Sequence, residues 1–247
     1  MPTGEAFEDA LRLLDGIKAK EIGAHLSLTE TRPVTDPAEV PNLITKDGKF
    51  HRHKTAFLRN LFLKRISSEE IYTELKNQLD RIRKTSLAVT SLSSHEHIHM
   101  MPAVLDTFIK LAKEYHIPSI RYPYNEPFIF PIRLNKIYKK TVSSYFEKGA
   151  CKMLRNAKIA RTGHFRGFLD SGRLTEDRLM KILKSLKNGV TELVCHPGFL
   201  GPEVLDRYNF HINCESELFA LTGQVVKNLI KANDIKLITY GEFLHGK

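Results

Sequence analysis

Ser86-Leu-Ala-Val-Thr-Ser-Leu-Ser-Ser-His-Glu-His-Ile-His-Met-Met-Pro102 is the stretch on which the architecture turns. Its apolar and β-branched positions alternate with small polar ones, and this predicts a strand from Ser86 to about His97. Ala103 to Tyr115 follows with helical spacing. In an extended chain His95, His97 and His99 recur at every second position and share one face. Imidazole is the commonest metal ligand among side chains. Three of them before the strand-ending Met100-Met101-Pro102 predict a metal or acid–base centre at a strand end.

Outward from this stretch, strands and helices alternate. Phe7, Leu11 and Leu14 form the apolar stripe of a first helix, stopped by Gly16. Ile22-Gly-Ala-His-Leu-Ser-Leu28 reads as a strand containing His25. Thr29 to His53 is irregular, with Pro33, Pro37 and Pro41 and an Asp47-Gly48 turn. Ser67-Ser68-Glu69-Glu70 is a capping box for a helix to about Arg83. Ile120 opens a short strand before the proline-studded Arg121–Pro127. A basic helix is expected from Leu134 to Lys148. Thr175 caps a helix to about Leu186, and Val190 to Cys195 is a strand stopped by His196-Pro-Gly198. A long helix from Glu215 to Ala232 and a strand from Ile235 to Tyr240 complete the pattern. Such alternation implies an α/β fold with a mainly parallel sheet, open or closed into a barrel. A chain of 247 residues suits one large domain, 1–247.

Lys and Arg outnumber Asp and Glu, 38 to 28, for a formal charge of +10. Part of the surplus lies between 134 and 161, a candidate surface for peripheral contact with an anionic membrane. No nucleic-acid-binding motif accompanies it, so no nucleic-acid partner is expected. No run approaches the roughly eighteen apolar residues of a membrane span, and no secretory signal core is visible at the start. Three cysteines without C-x-x-C spacing indicate neither a disulfide framework nor a cysteine zinc site. A cytoplasmic protein, monomeric or homo-oligomeric, is the expectation.

In parallel α/β folds the chemistry gathers at the C-terminal ends of strands. His25, the 95–99 cluster, Arg121 and His196 all fall within or just past predicted strands, which points to a single active site. His196 stands at a strand rim set by Pro197 and Gly198, where a neutral imidazole can give or take a proton. The neighbouring Cys195 faces the other way along the strand and forms no dyad with it. His164, in Gly163-His-Phe-Arg-Gly167, could line a substrate cleft or simply sit in a turn. A hydrolytic metal site also needs a carboxylate and an open position for water. Glu96 points opposite its neighbours on a strand, and Glu30, Asp36 and Glu126 are only loosely placed.

At these residues the chain resembles the YdjC-like carbohydrate deacetylases. Gly23-Ala-His-Leu-Ser-Leu-Thr-Glu-Thr-Arg-Pro33 is similar to that family's G-x-H-x-x-L-T-x-G-x-P segment. Ser94-His-Glu-His-Ile-His99 is similar to S-H-x-H-x-H, and Cys195-His-Pro-Gly198 to C-H-P-G. Gly163–Gly167 with Ser171–Glu176 resembles the hopanoid-associated branch more than the chitooligosaccharide branch. The similarity runs over essentially the whole chain, in order.

The resemblance implies a deformed (β/α) barrel of the polysaccharide-deacetylase type and removal of acetyl groups from an N-acetylated sugar or glycolipid. It places a divalent ion, magnesium by family habit and zinc by ligand chemistry, on His25 and His95. His196 becomes the general acid for the leaving amine. His97, His99, Arg121, Glu126 and His164 become candidates for substrate contact. Ser93 stands where the family usually has aspartate. The family's opening Asp-Asp strand, which supplies the metal carboxylate and the catalytic base, has no counterpart here, so neither an aspartate ligand nor an aspartate base is assigned. Met1 is accordingly read as an internal methionine, with about one βαβ unit upstream of it. The rival readings are a barrel phosphoesterase or amidohydrolase, and an inactive sugar-binding relative.

Overall fold

The computed structural model describes residues 1–124, 126–127, 146–202 and 212–246. The chain divides into two compact units, the first Met1–Arg121 with Lys148–Arg161 and Tyr240–Lys247, the second Tyr122–Glu147 with Thr162–Thr239.

The first unit is built on a parallel sheet in the order β1 (Glu21–Leu26), β2 (Ala88–Ser94), β3 (Ser119–Ile120). Parallel neighbours require long crossovers. The first crossover holds α2 (Lys54–Phe62) and α3 (Ser68–Arg83), the second α4 (Pro102–Glu114), and α1 (Phe7–Gly16) precedes β1. The capping box at Ser67 is present: its hydroxyl accepts from Glu70 N–H, while Glu70 reaches back to Ser67 N–H. Between Ile22 and Gly23 the β1–β2 register slips by one, leaving Thr90 opposite no residue of β1. Beyond the slip His25 pairs with Ser93 and Leu26 with Ser94.

One face of α3 buries Ile71, Leu75, Leu79 and Ile82, and the same face carries three buried polar residues, Glu70, Glu74 and Gln78. They satisfy the irregular segment that sequence places at Thr29–His53. Glu74, with no exposed surface, accepts from Val34 N–H and Thr35 N–H at 3.0 Å each. Glu70 accepts from Asn42 N–H at 2.9 Å. Gln78 holds both backbone groups of Ser27, accepting from its N–H at 2.9 Å and donating to its carbonyl at 2.6 Å. At Val34, Thr35 and Asn42 the loop therefore finds its backbone partners in side chains of a helix.

In the second unit β4 (His164–Arg166) pairs in parallel with β5 (Thr191–Leu193). Leu179, Ile182 and Leu183 of α5 (Glu176–Lys184) pack with Leu174, with Ala220 of α6 (Cys214–Thr222) and with Val226 of α7 (Gln224–Ala232). Gly167 has φ +90°, and a Cβ there would stand 2.2 Å from Val194 O, so only glycine lets β4 leave the sheet at this point.

Three expectations are corrected. The strand predicted from Ser86 to His97 stops at Ser94, and His95–Met100 is a 3-10 turn in which Glu96 and His97 take φ values of 53° and 56°. The long helix expected from Glu215 to Ala232 is two helices, broken where Gly223 is extended (φ −63°, ψ 142°). Ile235–Thr239 forms no strand among the described residues, because no described strand pairs with it, and α8 (Tyr240–His245) begins where the predicted strand was to end. Most of the predicted basic helix, 134–148, lies outside the described residues, while 146–156 is helical. No helix among the described residues is long and apolar enough to cross a membrane.

Candidate active site

Two adjacent parallel strands deliver the first pair of side chains. β1 carries His25 at its C-terminal end, and β2 releases His95 one residue past its own. Their rings meet edge to face with centroids 6.1 Å apart. His25 Nδ1 and Ser93 Oγ, cross-strand neighbours, lie 2.9 Å apart, and Ser93 Oγ is 3.5 Å from Ala24 O. With its hydroxyl directed at that carbonyl, Ser93 accepts from His25 Nδ1–H, and this tautomer leaves Nε2 a bare lone pair. Burial, aided by the charge of Arg121 and by His95, holds the His25 pKa well below the usual histidine value. His25 is therefore a neutral imidazole at neutral pH, the form that binds a metal.

His95 Nε2 donates to Glu30 Oε2 at 3.0 Å, and each side chain is about one quarter exposed (26% for both). Glu30 is one of the three carboxylates, with Asp36 and Glu126, that sequence reading placed only loosely. It sits at φ 68°, a left-handed conformation that costs a non-glycine residue roughly 1–2 kcal/mol. Local bonds hold it there. Glu30 N–H donates to His51 O at 3.1 Å, Thr31 N–H to Thr29 O at 2.8 Å and Phe50 N–H to Thr31 O at 2.9 Å. The far end of the 29–53 segment thus returns to fix the near end. The signal in the sequence was present but faint: a carboxylate five residues beyond a strand histidine, in a loop whose path only the buried face of α3 defines.

The turn at 95–100 separates the three histidines that a strand would have aligned. Left-handed Glu96 and His97 swing the chain back, so His95, His97 and His99 do not share a face. His99 has no exposed surface, and its ring packs on Phe108 with centroids 5.3 Å apart. Ser94 Oγ lies 2.7 Å from Nδ1, accepts His99 N–H at 2.9 Å, and Nε2 donates to Arg121 O at 3.0 Å. This is a pin inside the core rather than the expected substrate contact. His97 is half-buried, its ring 6.1 Å from that of His99, and burial, then His99 and Arg121, keep its pKa well below normal.

Burial pushes His99 down to about 3. The unfolded chain takes up a proton near 6.5 while the folded one refuses it until about 3, so stability is full above 6.5 and drains as pH falls. Each pH unit costs about 1.4 kcal/mol for this group. Urea unfolding at pH 7.5 and 5.0 should differ by about 2 kcal/mol from His99 alone, with His25 and His97 adding in the same direction. Equal stabilities at the two pH values would show that His99 is charged in the fold.

Glu126, His164 and His196 belong to the second unit. Glu126 is buried and accepts from Gly167 N–H (2.7 Å) and Leu169 N–H (2.8 Å); burial pushes its pKa up. Its carboxylate stitches the turn after β4, a structural use in place of the expected substrate contact. His164 opens β4, with Nε2 donating to Asn188 O at 3.3 Å. His196 N–H donates to Glu217 at 2.6 Å, and the other oxygen of that carboxylate accepts Leu174 N–H.

Two imidazoles and a carboxylate are donors of the kind that hold a divalent ion. Among the described residues, no three histidine, cysteine or carboxylate side chains already surround one point as an ion would require. Cys151, Cys195 and Cys214 form no disulfide.

Comparison with known proteins agrees with this arrangement of strands. A solved structure from Enterococcus faecalis, named for cellobiose-phosphate cleavage, superposes with a TM-score of 0.75 at 20% identity, over 98% of this chain and 85% of that one. It shares the fold. A carbohydrate deacetylase of Brevibacillus brevis is 29% identical over 96% of this chain and 84% of its own length. One of Vibrio cholerae is 27% identical over 97% and 81%, and one of Thermoanaerobacter pseudethanolicus 26% identical over 88% and 76%. The model of the family described as YdjC-like protein matches residues 1–232. The chain is a member of the YdjC-like family.

Proposed function

We propose that this protein is a metal-dependent hydrolase that removes acetyl groups from N-acetylated sugars, with His25 and His95 holding the ion. The observation that carries the reading is the meeting of these two rings at the ends of adjacent parallel strands, in a chain whose relatives are named carbohydrate deacetylases. A divalent ion, when bound, polarises the amide carbonyl and activates water. The chain's own contributions are distinct from that. Ser93 fixes the ring of His25 and the proton on it, as groups behind a metal ligand do. Burial keeps that ring neutral, and Arg121 contributes positive charge beside it. His196 is our candidate donor of the proton to the departing amine, and His97, Arg121 and His164 our candidates for sugar contact. We favour magnesium, a chitooligosaccharide or hopanoid-linked acetylamino sugar as substrate, and a deformed (β/α) barrel as the complete architecture. Three cysteines outside any disulfide fit a reducing compartment.

The test is acetate release from N,N′-diacetylchitobiose and from an N-acetylglucosaminyl lipid, with magnesium, manganese or zinc added after chelation. Acetate that disappears with chelator and returns with an ion supports the reading. Absence of acetate with every ion on both substrates refutes it.

A further inference from the structure

We propose that His99 is a positioning residue for Arg121: it fixes the backbone from which the Arg121 guanidinium meets the substrate, at the sheet edge where His25 and His95 stand. This rests on the reading of Arg121 as a sugar contact. Both ring nitrogens of His99 are bonded, and the bonds lead from the end of β2 to Arg121.

The ladder between β2 and β3 pairs Ser91 with Ser119 and Leu92 with Ile120. Arg121 is the next residue, and its N–H donates to Leu92 O at 2.8 Å. Its carbonyl takes a bond from the ring of His99, 3.0 Å from Nε2. Both peptide planes that flank Arg121 are therefore tied, one to β2 and the other to His99. Two fixed planes leave the backbone no soft dihedral between them, so the direction in which the side chain departs is set. His99 is itself held from the strand that releases His95. Because Nε2 faces a carbonyl it carries the ring proton, and Nδ1 is left to accept from Ser94 O–H at 2.7 Å. The same hydroxyl accepts His99 N–H at 2.9 Å, which closes the 95–100 turn onto the last residue of β2. Burial pushes the ring's pKa down to about 3, so this pattern of donors and acceptors does not change near neutral pH.

The charge of Arg121 is felt at this edge. After burial it is the largest influence that depresses the pKa of His25, and after burial and His99 it acts on His97 as well. A guanidinium offers five N–H donors in a rigid fork, and what the fork binds depends on where it is aimed. A misplacement of about 1 Å can cost a positioned group about 100-fold. The ring of His99 also packs on Phe108. Leucine would supply that bulk; the imidazole adds the two bonds, and a satisfied buried network of this kind specifies one arrangement. Ser94, His99 and Arg121 thus join the end of β2 to the end of β3 through side chains, beyond the last paired residues of the ladder.

The experiment compares acetate release by the wild-type chain, His99→Asn, His99→Gln, Arg121→Met and the double variant His99→Asn/Arg121→Met, with rates taken per folded protein by circular dichroism. Asparagine puts its amide where Nδ1 stands and keeps the Ser94 bond without the Arg121 one. Glutamine reaches the place of Nε2 and keeps the bond to Arg121. His99→Asn should raise KM by about 10-fold or more with kcat within about twofold, the pattern of lost substrate binding. Mn²⁺ affinity, followed by the electron paramagnetic resonance of the free ion, should stay at the wild-type value. His99→Gln should bring KM back to within about threefold of the wild type. In the Arg121→Met background, His99→Asn should change kcat/KM no further, because the two residues act as one. If His99→Asn lowers the thermal midpoint but leaves KM alone, or if its effect multiplies with that of Arg121→Met, His99 is structural only and the proposal is overturned while the functional reading stands. Nitrogen NMR of the wild-type ring is a second test, which stands even if the asparagine chain fails to fold. Nε2 should be protonated and Nδ1 bare at neutral pH, and the opposite tautomer or a charged ring overturns the proposal. A wild-type chain that releases no acetate with any ion refutes the functional reading and this proposal with it.

Discussion

Replacing His95 with alanine is expected to abolish chelator-sensitive acetate release and to weaken divalent-ion binding by more than about 100-fold, since even residues that merely orient a ligand are worth 10–100-fold. The fold should survive. His95 is about one quarter exposed, it follows a completed strand, and its bond to Glu30 is a partly solvated one. Loss of such a pair changes stability by about 1 kcal/mol or less. This combination separates a ligand from a structural residue: binding and turnover collapse together while the thermal midpoint barely moves. His99, four residues on, has the opposite profile, because its buried ring carries two core hydrogen bonds. A His95→Ala chain that kept both ion and activity would mean that the ring pair at the strand ends is a packing contact.

The second large effect is expected where no chemistry occurs. Glu74→Ala should destabilise the first unit by roughly 2–6 kcal/mol, because Val34 N–H and Thr35 N–H lose their acceptor at about 1–3 kcal/mol each. Gln78, whose Nε2 donates to Glu74 at 2.7 Å, loses a partner as well. Glu74→Gln retains one acceptor oxygen and should cost about half as much. Urea unfolding followed by fluorescence or circular dichroism measures both. A loss below about 1 kcal/mol would mean that water replaces the carboxylate and that the loop is held elsewhere.

Local chemistry made part of this structure legible in the sequence. The Ser67–Glu70 capping box and the alternation of strand with helix each depend on residues close to one another in the chain, and each is present as read. The meeting of His25 with His95 was legible too, since parallel strands of one sheet bring their C-terminal ends to one edge. What failed depended on distant partners or on backbone. Nothing in Ser94-His-Glu-His announces that Glu96 and His97 go left-handed, because neither is glycine and the bonds of His99 to Ser94 and Arg121 impose the turn. Glu30, Glu74 and Gln78 read as surface residues by type. Their partners lie 65, 39 and 51 residues away, beyond the reach of any periodicity.

The one-residue slip between β1 and β2 carries a consequence for how such a chain can vary. Thr90 acts as a spacer. Were it drawn into the ladder opposite Gly23, the alignment upstream would carry through to the end, setting His25 beside Leu92 instead of a hydroxyl. A residue added or lost between Ser91 and Ser93 would likewise change the phase, whereas the Asp47-Gly48 bend can gain or lose residues with the two rings still opposed.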